Sequence, residues 1–147
     1  MTGAAPLMVA EPPAAYLKRP PVVVDCSALA AILFDEASRD LAVERLAGKA
    51  LFAPALLAHE IVSVALKKQQ LGWNPDSISL ALTDFGSYDI KLLPVDVVAQ
   101  YDIAMRYKLS AYDAAYLALA ANLKASLATF DTKLNAAARV HLANLGT

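Results

Sequence analysis

The chain has 147 residues, of which 58% are hydrophobic, and its 13 basic and 14 acidic side chains give a formal net charge of −1. This composition excludes a disordered protein and fits a single domain with its own core. It provides no overall positive charge, so a nucleic-acid partner has to be bound by a local patch, and the single cysteine, Cys26, excludes an internal disulfide.

The first part of the chain is predicted to be an irregular arm. Residues 1–20 are rich in alanine and proline and show neither helical nor strand periodicity. Lys18 and Arg19 come at the end of this stretch, whereas a secretory signal carries its positive charges in front of an apolar segment. The longest apolar run, residues 114–121, is too short to span a membrane. We therefore expect a cytoplasmic protein without a membrane partner, whose domain occupies residues 21–147.

Short apolar strands alternate with longer helices through this domain. In chain order, the patterns predict a strand at residues 22–24, helices at 27–33 and 38–46, a strand at 51–53, helices from Pro54 to about residue 70 and at 76–85, a strand at 90–94, helices at 95–107 and 111–124, a strand at 125–130 and a fifth strand at 140–142. Pro54 suits the first turn of a helix, where no N–H donor is needed, and Asp96 and Ser110 are candidate N-caps. Because this alternation implies right-handed crossovers, we predict a three-layer α/β/α domain with a mostly parallel central sheet.

Four acidic residues are predicted to meet at one edge of the sheet. Asp25 and Asp131 each follow a strand directly, and parallel strands end at the same edge. Glu60 lies near the start of the helix after the second strand, and Asp113 lies in the first turn of the helix before the fourth strand. Ligands of such sheets bind at this edge, so the four acids form the candidate site.

Asp113 is the most informative of these acids, because its helix is apolar on nearly all sides and is expected to be buried. A carboxylate there needs a partner, since desolvating an isolated charge costs on the order of several kcal/mol. An acid placed only for the helix dipole is the alternative explanation. With two histidines and one cysteine in the chain, converging carboxylates favour Mg²⁺ or Mn²⁺ over zinc. Such a metal suits phosphodiester hydrolysis.

Two hydroxyl residues lie close to the acids in the sequence. Ser27 comes two residues after Asp25, and Thr129 comes two residues before Asp131. Hydrogen bonding to a carboxylate or a metal-bound water is one explanation of these positions, and simple capping or strand packing is an equally good one.

The remaining reactive residues are expected to be structural. They are the surface or packing residue His59, the edge residue His141, the core residue Cys26, and the aromatic residues Trp73, Tyr88, Tyr107, Tyr112 and Tyr116, which suit a core or an interface better than base stacking. Basic residues near the acidic edge are expected to be solvated helix ends, and contact with RNA phosphates is the alternative explanation. They are Lys67, Lys68, Arg106, Lys108 and Lys133. The 5 glycines form no phosphate-binding loop, which disfavours nucleotide cofactors.

The order of these acids and the segments around them resemble the PIN-domain ribonucleases, in particular the VapC-type toxins of type II toxin–antitoxin systems. The matching features are Asp25-x-Ser27 after the first strand, Glu60 in APALLAHEIVSVALKK, Asp113 in LSAYDAAYLALA and Asp131 in LATFDTKL. The first twenty residues depart from the resemblance, because toxins of this type begin close to the first strand.

The resemblance implies a Mg²⁺- or Mn²⁺-dependent endoribonuclease that cleaves single-stranded regions of RNA. Asp25 and Asp113 then correspond to the principal catalytic metal ligands. Glu60 and Asp131 complete the acidic catalytic pocket, directly or through water, and the two hydroxyl residues correspond to supporting polar residues. The resemblance also implies a homodimer silenced by a cognate VapB-type antitoxin, and it is the antitoxin rather than this chain that binds operator DNA.

Two other functions compete with this hypothesis. A phosphoacceptor receiver domain needs an acidic pair after the first strand, but Cys26 stands beside Asp25. A non-catalytic PIN-like protein-binding module would not need all four acids. Under the nuclease hypothesis, Asp25→Ala or Asp113→Ala is expected to abolish cleavage and to improve or spare the stability of the fold, because removing one of several crowded carboxylates relieves their repulsion.

Overall fold

The computed structural model describes residues 19–145, together with residues 7, 8 and 10. The predicted arm of residues 1–20 therefore lies largely outside the described residues. The strands in the described part are β1 (Pro21–Val24), β2 (Ala50–Pro54), β3 (Ile90–Leu93) and β4 (Ser126–Ala128). The helices there are α1 (Cys26–Leu33), α2 (Arg39–Leu46), α3 (Leu57–Gln70), α4 (Pro75–Ser87), α5 (Val97–Tyr107), α6 (Ala111–Leu123) and α7 (Thr132–Ala143).

The four strands form one parallel sheet in the order β3-β2-β1-β4. β1 lies inside the sheet, where Val23 is in register with Phe52 of β2 and with Leu127 of β4. Val23 and Val24 are fully buried, as β-branched runs are in a parallel sheet covered by helices on its faces. The predicted three-layer α/β/α architecture is confirmed.

Helix α6 is the central helix of the core. Every residue from 114 to 120 is buried, because the helix packs against three strands and against α5 and α7. An apolar sequence on all sides is what such burial requires. The packing fixes the start of α6, with Ser110 and Asp113, beside the sheet. No helix within the described residues is long and apolar enough to cross a membrane.

Polar side chains define where five of these helices begin. Each accepts a hydrogen bond from a backbone N–H in the first turn, and they are Asp25 (α1), Asn74 (α4), Asp96 (α5), Ser110 (α6) and Asp131 (α7). The predicted caps Ser110 and Asp96 are confirmed. Two of the four candidate acids, Asp25 and Asp131, are also caps, so helix N-termini hold their carboxylates in place.

The fifth strand predicted at residues 140–142 is wrong, because these residues are the last turns of α7. Leu134, Ala137 and Ala138 are buried at helical spacing, and α7 packs on α6 and β4. A three-residue apolar run does not distinguish a strand from a helix, so the longer periodicity from Leu134 onward decides the structure.

Pro54 ends β2 and is not the first residue of α3, contrary to the prediction. It is in register with Leu93 of β3, and the next N–H, that of Ala55, donates to the Leu93 carbonyl at 3.0 Å. Proline is tolerated here because the strand ends at this residue. Helix α3 begins later, at Leu57, and Glu60 consequently lies in its first turn.

A second, smaller apolar cluster holds α4 against α1 and α3. Phe34 is almost fully buried and contacts Trp73 edge-on, with ring centroids 6.0 Å apart. The ammonium of Lys68 lies 4.8 Å from the Trp73 ring centroid and 3.3 Å from Glu36 Oε2. Ala81 is the buried residue of α4 in this cluster.

Candidate active site

Asp25 is, among the described residues, the one charged side chain that is buried, with 5% of its surface exposed. Its Oδ1 accepts hydrogen bonds from the Ala28 N–H at 3.0 Å and from the Ser27 hydroxyl at 2.7 Å. Its Oδ2 accepts from the Thr129 hydroxyl at 2.5 Å. Three donors therefore fix the orientation of this carboxylate and offset part of its desolvation.

The two hydroxyl residues also join the ends of β1 and β4. The Ser27 hydroxyl accepts from the Phe130 N–H at 2.9 Å, and the Thr129 hydroxyl accepts from the Asp131 N–H at 2.9 Å. Each hydroxyl thus donates to Asp25 and accepts from the β4–α7 connection. The carboxylate-bonding explanation of Ser27 and Thr129 is the one that this geometry supports.

Glu60 has a partner that sequence reasoning missed. The hydroxyl of Tyr116 donates to Glu60 Oε1 at 2.5 Å, and the tyrosine side chain is 1% exposed. The expected core position of Tyr116 is correct, but its hydroxyl also orients a candidate site residue. The pair connects α3 to α6 and depends on how these helices pack, so no local pattern in the sequence indicates it.

The two remaining acids lie at the starts of α6 and α7. The Asp113 N–H donates to the Ser110 hydroxyl at 3.0 Å, which places the Asp113 side chain on the first turn of α6. Asp131 accepts from the Leu134 N–H at 2.8 Å as the cap of α7. Both side chains leave helix N-termini at the edge where β1 and β4 end.

Burial and mutual repulsion perturb three of the four carboxyl groups. Desolvation is the largest cause in each case, and it raises the pKa of Asp25, Glu60 and Asp113 above the ordinary values. The negative charge of Asp113 raises the pKa of both Asp25 and Glu60, and Asp131 raises the pKa of Asp113. Hydrogen bonds from Thr129 to Asp25, and from Tyr116 to Glu60, act in the opposite direction.

These interactions couple the four acids electrostatically, and their joint role as site residues stays a prediction. Each acid raises the pKa of another member or has its own pKa raised by one. A cluster of this kind is a poor place for four negative charges without a cation. Perturbed carboxyl groups at the end of a parallel sheet are also a common signature of a functional site.

The other reactive residues do not join this cluster. Burial raises the pKa of the half-buried Cys26 thiol to about 12, with Glu60 and Asp25 adding to the effect, so the thiol is not a nucleophile. His59 is exposed on α3. His141 lies outside the site, where its Nδ1 is 2.9 Å from the hydroxyl of Tyr107.

The donor set fits a hard divalent cation. No group of three or more His, Cys, Asp or Glu side chains in the described part of the chain has the arrangement of a metal site. Mg²⁺ is compatible with this, because it is commonly held by one or two carboxylates, with water and substrate phosphates as its other ligands. Asp25 Oδ2 accepts a single hydrogen bond in the structure and retains acceptor capacity for a cation. Zinc is a poorer fit to a set of oxygen donors.

Comparisons with known proteins agree with this fold. The sequence profile described as "PIN domain" matches residues 22–140, which is more than half of the chain. Among solved structures, the crystal structure of PAE2754 from Pyrobaculum aerophilum is similar, with a TM-score of 0.64 and 24% sequence identity over 86% of this chain and 89% of that chain. At this identity the likeness concerns the fold alone. No curated protein sequence matches the chain.

Proposed function

Because the chain belongs to the PIN domain family, whose members are generally metal-dependent nucleases, we propose that it is a Mg²⁺- or Mn²⁺-dependent endoribonuclease that hydrolyses RNA phosphodiester bonds. The observation that carries the proposal is the buried carboxylate of Asp25 at the end of the sheet, which Ser27 and Thr129 hold in place and which lies close enough to Asp113 for the two charges to repel. Asp25 and Asp113 would hold the cation, with Glu60 and Asp131 completing the pocket.

The chain's own residues prepare this pocket for a cation and a phosphate. Ser27 and Thr129 keep the Asp25 carboxylate in one orientation, and Tyr116 does the same for Glu60. The bound cation would supply positive charge to the phosphate oxygens and lower the pKa of an attacking water. The starts of α6 and α7 add partial positive charge at the same edge, which favours a phosphate.

Cleavage of total cellular RNA by the purified full chain, freed of copurifying protein, tests the nuclease. We expect discrete fragments with Mg²⁺ or Mn²⁺ and none with EDTA. Asp113→Asn should abolish the fragments, whereas Asp84→Asn, the same change at an exposed position of α4, should leave them. No metal-dependent difference between the folded unmodified chain and Asp113→Asn would contradict the proposal and favour a non-catalytic protein-binding module.

The biological role that we propose is that of the toxin in a VapBC-like pair. It is supported by the resemblance of the four acids and of the segments LSAYDAAYLALA and LATFDTKL to VapC-type toxins. The partners are then a cognate VapB-type antitoxin and a second copy of the chain in a homodimer, with no direct binding of operator DNA by this chain alone.

Induced expression in a bacterial host tests the toxin role. The unmodified chain should arrest growth, and Asp113→Asn should not, at equal protein levels. Asp84→Asn should arrest growth like the unmodified chain. Metal-dependent cleavage in vitro without growth arrest would leave the nuclease standing and contradict the toxin role.

A further inference from the structure

A groove of about 670 Å³ opens beside the acids, between α3 and the start of α6. Two of its lining residues belong to the candidate site, because Glu60 is one of the four acids and Ser27 donates to Asp25. We call this space the α3 groove. A strand of RNA whose phosphodiester reaches the acids must continue away from them, and the α3 groove is directly adjacent.

Helix α3 supplies one wall of the groove with a row of polar side chains. His59, Ser63 and Lys67 line it at intervals of four residues, so they lie along one side of the helix. Lys67 is seven residues beyond Glu60, which places it roughly 10 Å further along the helix axis. Lys67 therefore adds a positive charge to the lining of the groove.

Lys67 and its neighbour Lys68 differ in the groups that they contact. Lys68 is ion-paired with Glu36 and lies over the Trp73 ring, so it stabilises the second apolar cluster. Within the described residues, no acidic side chain lies at ion-pair distance from Lys67. The lysine that faces the groove is therefore available to a phosphate.

Tyr112 forms the opposite wall and is 64% exposed. It lies in the first turn of α6 and lines the same groove as Glu60 and Ser27. An exposed ring of this kind offers a stacking surface to any base. A stacking ring together with a lysine at a distance from it is the combination with which proteins bind a single-stranded nucleic acid.

We infer that the α3 groove binds the single-stranded RNA segment that flanks the scissile phosphodiester, with a base stacked on Tyr112 and a phosphate at Lys67. The inference rests on the proposed nuclease function. It assigns Tyr112 a role in substrate binding, which differs from the core or interface position expected from the sequence.

The test is the affinity of the full chain for fluorescently labelled, single-stranded, ten-nucleotide homopolymers of each of the four RNA bases. It is carried out with Mg²⁺ in the Asp113→Asn background, which prevents cleavage. Adding Tyr112→Ala should weaken the affinity by roughly tenfold, because the stacking of one base on the ring is lost. Tyr112→Phe should retain it. Tyr101→Ala, which removes an equally exposed ring from α5, should have no effect.

Lys67→Gln provides a second, independent readout. Losing one phosphate contact should make the slope of log K against log salt concentration less steep by about 0.7. Lys91→Gln, at an exposed lysine of β3, should leave this slope unchanged.

Two results would overturn the inference. One is an affinity for the homopolymers that changes with neither Tyr112→Ala nor Lys67→Gln, or that falls as much with Tyr101→Ala as with Tyr112→Ala. This result would assign the groove to another ligand, such as a peptide. The other is the absence of measurable affinity for any of the four homopolymers. Cleavage of cellular RNA by the unmodified chain in the same preparation would leave the nuclease standing in both cases. An absence of cleavage would contradict the nuclease itself.

Discussion

Asp25 and Asp113 have the same predicted role as principal metal ligands, but the structure gives them different surroundings. Asp25 is 5% exposed, caps α1 and accepts hydrogen bonds from two hydroxyl groups. Asp113 lies on the outer turn of α6, with the charges of Asp131 and Lys133 nearby. Removing Asp25 deletes three hydrogen bonds, whereas removing Asp113 mainly relieves repulsion.

Contrary to the expectation from the sequence, Asp25→Ala should therefore lower the free energy of unfolding of the metal-free protein by about 1–3 kcal/mol, through the lost cap and the unpaired hydroxyls. Asp113→Asn should leave the free energy unchanged or raise it. Urea unfolding in EDTA measures both. Equal destabilisation by the two substitutions would mean that Asp113 is also a structural residue.

Tyr116→Phe is the substitution that isolates the support of Glu60. It keeps the buried ring and removes only the hydroxyl that donates to Glu60. Because outer partners of metal-binding carboxylates contribute to metal affinity, the Mg²⁺ concentration for half-maximal cleavage should rise roughly tenfold. Tyr107→Phe is the matched control, since it removes a hydroxyl bonded to His141 outside the site. An equal rise in both variants would contradict the role of Tyr116.

The sequence predicts some of these residues and misses others for a physical reason. Asp25 and Asp131 follow strands, and the ends of parallel strands are placed by the sheet itself. The bond from Tyr116 to Glu60 joins residues 56 positions apart and depends on side-chain packing between α3 and α6. Periodicity along the chain carries no information about a contact of that kind.

For whole strands and helices, too, local sequence patterns predict some features, and contacts between distant residues decide others. Strand β1 and helix α6 are predicted because β1 is a β-branched run that ends at the capping residue Asp25, and because the apolar run of α6 is long and follows the cap Ser110. The last turns of α7 are mistaken for a strand because a short apolar run fits either structure. Pro54 has a favourable place both at the end of a strand and at the start of a helix, and only the pairing with β3 decides between them.

The second apolar cluster gives a prediction for α4. Phe34→Ala removes the buried ring that contacts Trp73 and should destabilise the protein by about 3–5 kcal/mol. Phe34→Ala should then accelerate amide hydrogen exchange more in α4 than in α6, because the cluster that holds α4 against α1 is disrupted. Leu80→Ala, at a 63% exposed position of α4, should have little effect on either measurement. Unchanged exchange in α4 after Phe34→Ala would contradict the role of this cluster.

For the whole molecule, the acidic cluster predicts a particular dependence of stability on pH. Asp25 and Asp113 have ordinary pKa values of 3.8 and Glu60 has 4.5, and all three values are raised in the folded protein. The native state therefore binds more protons than the unfolded state above about pH 4. Stability from these groups is fully present below that pH and is lost as the pH rises through the raised values.

The contribution of His141 to the pH dependence of stability has the opposite sign, because burial and Arg106 lower its pKa. This contribution cancels when the stabilities of two proteins that both contain His141 are compared. In EDTA, the stability of Asp113→Asn relative to the unmodified chain should increase as the pH rises from 4 to 7, and Asp84→Asn should show no such trend. Saturating Mg²⁺ should stabilise the unmodified chain by mass action. A relative stability of Asp113→Asn that is constant or falls with pH would contradict the coupling.

The proposed cation at Asp25 and Asp113 is detected by Mn²⁺ binding, followed by electron paramagnetic resonance. At pH 7.5 the unmodified chain and Asp84→Asn should bind Mn²⁺ saturably with equal affinity. Asp25→Asn and Asp113→Asn should weaken binding by roughly tenfold or more. No saturable binding by the unmodified chain, or equal binding by Asp113→Asn, would mean that these acids do not hold a divalent cation.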